Sequence, residues 1–335
     1  MEAMQKCNPI MRGRALWRTR PLPRLALPVC QQQPNTHWEP TMTVVLSPPA
    51  PAASFDKQAF KSAMRTQWDH CATGWDGHTA AIRAWLRQPT DAMLDMAGIA
   101  PGSTVLDVAA GAGDQTLDIA RRVGPTGRVL ATDLSPTILA LAQHNADQAG
   151  LDNVQTRVVD GEDLTLKAAS FDAVVCRLGL MFFPDPLLGL QGMHRALRAG
   201  GGICTMVFSR PECNPCICIL MTTAFKHAGL PARDPFTPGG LLSLGQPGRA
   251  DALFAAAGFQ DVATTAVDAP FRLPTVRHYL DFIRASASPI QHILSHLSPQ
   301  AADAAWAEME ERLSVFTTPK GWVGPNELLL TAARR

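Results

Sequence analysis

From residue 104 to residue 208 the chain switches repeatedly between two periodicities, and this switching limits its fold more than any other feature. Short apolar runs of strand length lie at 104–109, 128–132, 154–159, 171–176 and 203–208. Stretches with apolar residues at helical spacing lie at 114–123, after Ser135-Pro136, and at about 186–199. Strands that alternate with helices over short links form a parallel sheet covered on both faces, with right-handed crossovers. The punctuation agrees. Ser135 reads as an N-cap with Pro136 at the first helical position. Gly150 sits where a left-handed C-cap is wanted, and Gly200, Gly201 and Gly202 stop the third helix.

After Ser209 the alternation loosens. Residues 210–247 are rich in Pro, Gly and Cys and hold at most one helix. A helix at 249–257 ends at Gly258, and a strand follows at 261–267. Residues 275–318 read as helices, one of them beginning after Ser298-Pro299 with Trp306, Met309, Leu313 and Phe316 inward, and 328–332 is a last strand. Ahead of the core, 56–75 reads as a helix with Phe60, Met64 and Trp68 on one face, followed by shorter helical patterns at 80–87 and 90–96. The expected fold is α/β: a doubly wound, Rossmann-like, mostly parallel seven-stranded sheet with an antiparallel C-terminal strand and accessory helices.

Residues 1–55 differ from the rest. Arg12, Arg14, Arg18, Arg20 and Arg24 stand among few acids, Pro48, Pro49 and Pro51 follow, and no apolar period holds, so a disordered extension is expected. An Arg-rich, acid-poor start also suits an import segment. Pro21, Pro23 and Pro28 would interrupt its helix, which favours a dispensable extension or a start at Met42.

Composition removes whole classes of function. Hydrophobic residues are 46% of the 335, enough for a sizeable core, and the length allows one large α/β domain with additions or two ordinary domains. A formal net charge of +1 provides no global basic field, so no nucleic-acid partner is expected. The richest apolar stretch, 172–190, is broken by Arg177, Pro184, Asp185 and Pro186, so no transmembrane segment is expected either. Eight cysteines in a chain this long do not make a disulfide scaffold. With no signal-peptide pattern, the expectation is a reducing, cytoplasmic location.

The most informative segment is VLDVAAGAGD at 105–114, an apolar strand that runs through glycines into a helix. Glycine lets the backbone approach a ligand closely, and in an open parallel sheet the ligand lies at the carboxyl ends of the strands. A dinucleotide fingerprint has a third glycine for close helix–strand packing, and Thr116 stands there instead. An acid at the end of the first strand followed by alternate small residues, Asp107-x-Ala109-x-Gly111-x-Gly113, suits a ligand bearing an ammonium group. Asp133, ~20 residues beyond the turn, can accept from both ribose hydroxyls, which supports nucleoside binding without choosing its class.

With ATDLSP at 131–136, VVDGEDL at 158–164, FDAVVCRLGLMFFPDP at 171–186 and LRAGG at 197–201 in order behind it, the segment resembles the class I S-adenosylmethionine-dependent methyltransferases. The strongest likeness is to the small-molecule branch that includes the ubiquinone/menaquinone C-methyltransferases, over roughly 95–210. The resemblance implies S-adenosylmethionine as co-substrate and a small-molecule methyl acceptor. It implies that Asp107 anchors the methionine ammonium through water, and that Ala109, Gly111 and Gly113 shape the backbone cradle. Asp133 would hold the ribose, Leu134 would pack on the adenine, Asp160 would accept from the adenine amino group and Gly161 would offer its N–H to the ring. Cys176, Arg177 and Leu178 would line the sulfonium region. Ala109 replaces the family's usual first glycine, a change that would tighten the pocket slightly.

The pairs Trp68-Asp69 and Trp75-Asp76 resemble the aromatic–acid pattern that covers the cofactor in this branch. Trp75 could meet the sulfonium face-on, whereas Trp68 reads first as a core anchor. The domain implied spans 56–335: a helical cover at 56–98, the cofactor-binding core at 99–209, and substrate-side insertions at 210–247 and 275–322. The apolar content of these parts suits an apolar or aromatic acceptor. In-line displacement needs a general base only if the nucleophile must lose a proton. His278 and His70 are the candidates, and surface or structural roles are open for both. Cys213, Cys216 and Cys218 read as small apolar residues of a substrate loop, with a thiophilic or metalloid ligand as the sharper reading; no metal is expected, since no second ligand pair accompanies them. A non-catalytic regulator that kept the cofactor site remains open. So does a nicotinamide-dependent oxidoreductase, against which stand the missing third glycine and the absence of a Tyr-x-x-x-Lys pair. The sequence leaves the oligomeric state open.

Overall fold

The computed structural model describes residues 56–286 and 288–335. The extension expected at 1–55 lies outside them. Two helices come first, α1 (Lys57–Gly77) and α2 (Thr79–Met96). The side chain of Asp56 caps α1 by accepting from Gln58 N and Ala59 N at 3.0 and 2.9 Å. The alternating core follows as β1 (Thr104–Val108), α3 (Asp114–Val123), β2 (Arg128–Asp133), α4 (Pro136–Gln148), β3 (Val154–Val158), β4 (Phe171–Arg177), α5 (Pro186–Ala196) and β5 (Leu197–Phe208). Ser135 caps α4 through Ile138 N at 3.1 Å, and Gly150 adopts φ +65°, both where the sequence places them.

Beyond the core come α6 (Pro215–His227), α7 (Arg249–Ala256), β6 (Gln260–Asp268), β7 (Phe271–Leu273), α8 (Val276–Ser286), α9 (Ser288–Leu294), α10 (Pro299–Leu313), β8 (Thr317–Thr318), β9 (Gly321–Gly324) and β10 (Glu327–Arg334). The main sheet has seven strands in the order β3-β2-β1-β4-β5-β10-β6. Strands β1 to β5 are parallel, and β10 runs antiparallel between β5 and β6. The order reverses between β1 and β4, so the crevice for a ligand opens at their carboxyl ends. Val105, Leu106, Val174, Val175 and Ile203 are fully buried within these strands, as a parallel sheet covered on both sides requires. Among the described residues no helix is long and apolar enough to cross a membrane.

The structure departs from the sequence reading in three places. The helical patterns at 80–87 and 90–96 are one helix, α2, with Pro89 inside it. Proline forfeits one backbone bond there, but its ring is buried with Trp85, Leu86 and Met93 against the core, which offsets that loss. Helix α5 ends at Ala196, not near 199, because Leu197 already has extended geometry and pairs with Phe171. The next pair is Ala173 with Gly202, so the glycines absorb an irregularity within β5 instead of ending a helix. A side chain at Gly201 would lie 3.0 Å from the Asp172 carbonyl. The third departure is a second small sheet, β7-β9-β8, built of strands too short to carry a period.

Candidate functional site

At the end of β1 the backbone turns sharply. Ala109 and Gly111 have φ of +54° and +60°. A non-glycine residue in this region carries strain, which gathers at binding sites. The space for its methyl comes from Gly179, where an added Cβ would lie 2.4 Å from that of Ala109. Leu178, at φ +56°, is the second strained residue of the same wall. Gly113 starts α3 in a left-handed conformation and serves packing: a Cβ there would lie 3.1 Å from Ala142 Cα of α4.

These turns enclose a cavity of about 120 Å³. It brings together Trp75, Ala109, Gly111, Asp133, Leu134, Asp160, Gly161, Arg177 and Leu178 of the expected set. Asp133 accepts from Gly111 N at 3.0 Å and Ser135 N at 2.9 Å through different oxygens. Burial pushes its carboxyl above the ordinary range, against the pull of these N–H groups. Each oxygen keeps a further lone pair, which suits two ribose hydroxyls.

Three expected residues lie outside this wall. Asp107 is fully buried and accepts from Thr116 Oγ1 at 2.7 Å and Gln115 Nε2 at 3.1 Å. Gln115 does line the cavity, so it links Asp107 to the wall. Burial lifts the Asp107 carboxyl to about 6 despite these donors. Cys176 lies fully buried beneath Gly179, its thiol pushed up to about 12 by burial and then by Asp107. Gly113 is the third.

Arg177 lines the cavity, and its buried guanidinium donates to Asp114 Oδ2 at 2.8 Å and Thr90 Oγ1 at 3.0 Å. Asp114 also pairs with Arg83 at 2.7 Å. The α1 face covers the opening. Lys61 reaches Asp160 at 2.7 Å and Glu162 at 2.6 Å. Burial lowers the Lys61 ammonium, but these carboxylates outweigh it and hold it above its ordinary value. Phe183 packs on Gly161, where a Cβ would come within 2.1 Å of the ring. Lys61, Gln115, Glu162, Phe182 and Phe183 were not singled out from sequence. Phe182, Phe183 and Glu162 stand inside the quoted motifs, whereas Lys61 shows no signal beyond its place beside the Phe60–Met64–Trp68 face.

The two Trp-Asp pairs divide their work. Asp69 accepts from the Ser135 hydroxyl and from Thr137 N, and Asp76 accepts from Asn145 Nδ2 at 2.7 Å, so the acids fasten α1 to α4. Burial would raise the Asp69 carboxyl, but these donors keep it below its ordinary value. Trp68 and Trp75 meet edge to face at 5.7 Å and line the polar cavity together. Trp68 is thus a cavity wall as well as a core residue.

A second cavity of about 90 Å³ lies behind that wall. Trp68, Trp75, Leu178 and Phe182 belong to both. Most of the remaining lining comes from α2, β5, α6, β7, α8 and α9, with Met181, Leu241 and Asn326 beside them, and it is largely apolar, with Trp85, Phe208, Phe271, Tyr279 and Phe282 prominent. Among the described residues, neither cavity is lined by a histidine. His70 and His278 are exposed and bond locally, to Thr66 O at 2.7 Å and Thr275 Oγ1 at 2.9 Å. The clustered cysteines face different neighbours. Cys213 accepts from Arg210 Nε at 3.3 Å, Cys218 donates to Pro211 O at 3.5 Å, and Cys216 is buried against Gly324. Among the described residues no group of three or more His, Cys, Asp or Glu has metal-holding geometry.

Residues 82–227 match the ubiE/COQ5 methyltransferase family. The ubiquinone/menaquinone biosynthesis C-methyltransferase UbiE of Teredinibacter turnerae is 33% identical over 120 residues, which cover 36% of this chain and 48% of that protein. Its counterpart in Klebsiella pneumoniae is 33% identical over 123 residues, 36% of this chain and 49% of that one. The chain spans about half the length of the curated relatives it matches. Among solved structures, the YcgJ protein of Bacillus subtilis aligns at a TM-score of 0.50 and 18% identity, covering 74% of this chain and 99% of that one. A Haemonchus contortus phosphoethanolamine N-methyltransferase, solved with S-adenosylhomocysteine, aligns at 0.52 and 18% identity, covering 82% and 60%. At that identity the structures speak for the fold. The chain therefore has the fold of class I S-adenosylmethionine-dependent methyltransferases and resembles the ubiE/COQ5 family across residues 82–227.

Proposed function

We propose that the chain transfers the methyl group of S-adenosylmethionine to a small apolar or aromatic acceptor, releasing S-adenosylhomocysteine. The observation that carries this reading is the pair of adjoining cavities. One is acid-lined at the carboxyl ends of β1 and β2, the other is aromatic, and they share Trp68, Trp75, Leu178 and Phe182. When bound, the co-substrate supplies an electrophilic methyl on a sulfonium, and a nucleophilic atom of the acceptor takes it in line. Asp133 orients the ribose. Gln115, held by Asp107, receives the ammonium end, and Asp160 with Gly161 receives the adenine. The Trp75 indole suits the cationic sulfur. The wall between the cavities turns an encounter of two molecules into a local one, and such positioning supplies much of the acceleration. Among the described residues neither wall carries a histidine, and the reading favours an acceptor that is electron-rich at carbon.

The test is calorimetric titration of the folded protein with S-adenosylhomocysteine, alongside Asp133→Ala and a parallel titration with NAD. Micromolar binding in the parent, weakened about ten-fold or more in the variant, is expected. A folded parent that binds NAD and not S-adenosylhomocysteine overturns the proposal. Turnover with a metabolite pool then separates an enzyme from a cofactor-binding regulator.

A further inference from the structure

Away from both cavities, two histidines stand together on the surface. His292 lies in α9 and His296 in the turn that follows it, and both are exposed. Residues four apart on a helix share a face. Ser295 N still donates to Gln291 O at 2.8 Å, so the helical turn continues past Leu294 and brings His296 onto the face of His292. The two imidazoles meet edge to face, with centroids 4.9 Å apart and ring planes at 87°.

The His292 carbonyl stands in the last turn of α9, where helical partners run out. It accepts instead from His296 Nδ1 at 2.7 Å and from Ser295 Oγ at 2.8 Å. A carbonyl only accepts, so Nδ1 of the neutral His296 ring carries the proton and Nε2 keeps the lone pair. A backbone carbonyl orients metal-ligating histidines in this same way. The spacing also fits. A metal held at about 2.05 Å by two ring nitrogens sets the centroids roughly 4.5 Å apart at a right angle and roughly 5.2 Å apart at a tetrahedral one. The observed 4.9 Å falls between these values. Imidazole nitrogen suits nickel, copper and zinc, whereas magnesium and calcium take oxygen. Two protein ligands leave the remaining positions to water.

We infer that His292 and His296 chelate a late first-row divalent transition-metal ion. Helix α9 also lends Pro289 and Ile290 to the aromatic cavity, so an ion here fastens the end of a wall-forming helix. The site is independent of the methyltransferase reading. Its test is isothermal titration of Ni(II) chloride into the untagged full chain, beside His292→Gln, His296→Gln and, as control, the exposed His144→Gln on α4. Parent and control should bind alike. Each variant of the pair should bind at least ten-fold more weakly, because losing one arm leaves a single-ligand contact. The melting temperature should rise with Ni(II) in the parent and rise less in both variants. A second readout needs no substitution. Diethylpyrocarbonate labelling, mapped by mass spectrometry, should find both histidines protected by Ni(II) and neither by Mg(II). No Ni(II) binding at millimolar concentration, weakening in only one of the two variants, or labelling of the pair that Ni(II) leaves unchanged each overturns the inference. Full affinity in both folded variants also overturns it and would assign the ion to the cysteines or to other histidines.

Discussion

Asp107 is fully buried, lifted to about 6, and one side chain removed from the cavity wall. These facts predict how ligand affinity depends on pH. At pH 7 about one unliganded molecule in ten carries a protonated Asp107, and at pH 5 about nine in ten do. An ammonium group beyond Gln115 favours the ionised form. Binding below pH 6 must therefore expel a proton, and affinity should fall about ten-fold between pH 7 and pH 5. The variant Asp107→Asn removes the titration and should flatten the profile, which also controls for ionisation of the ligand. Stability moves the other way. A carboxyl raised by burial contributes fully below the ordinary carboxylate range and loses that contribution as pH rises through about 6, here worth about 3 kcal/mol. The stability gap between variant and parent should accordingly change in the variant's favour between pH 5 and pH 7. Isothermal titration of S-adenosylhomocysteine across pH 5–7, with melts in the same buffers, measures both. An affinity independent of pH in the parent, or an equal slope in Asp107→Asn, refutes the coupling.

Three further outcomes follow, two of them from the polar cavity and its support. Asp114→Ala strands the buried Arg177 guanidinium and should cost about 3–5 kcal/mol, a melting temperature lower by roughly 6–20 °C. Combining Asp114→Leu with Arg177→Met should recover most of that loss, and thermal melts showing no recovery would count against a desolvated pair. Gly161→Ala drives a methyl into Phe183 and should destabilise by about 1–3 kcal/mol while weakening S-adenosylhomocysteine several-fold. Gly150→Ala, with φ +65° and open space around it, should lose about 1 kcal/mol and leave affinity unchanged.

The core was legible because its signals are local. Asp107, Gly111, Gly113 and Ser135-Pro136 each mark a turn or cap whose requirement is settled within a few residues. Asp133 was legible because it ends its strand at the crevice, whereas Asp160 was named only through the family resemblance. What stayed hidden depends on distant packing. Pro89 continues a helix only because its ring is buried against elements far along the chain. The glycines at 200–202 look like a helix stop and act as a strand irregularity, since their partner is Asp172. Lys61 and Asn326 gain meaning only when α1 meets the turn after β3 and when the foot of β10 meets the aromatic cavity. Gln115 follows Asp114 in the motif, yet its interposition before Asp107 is a matter of rotamer.

The wall shared by the two cavities also sets where this protein is able to change. Substituting Trp68, Trp75, Leu178 or Phe182 to reshape the aromatic chamber disturbs the polar one in the same stroke. The opposite side, formed by Ile217, Leu220, Phe271 and Ile283, touches the aromatic chamber alone. Drift or deliberate redesign of that chamber's shape therefore has an open route through α6, β7 and α8, while α1 and the strand ends are held by a double obligation.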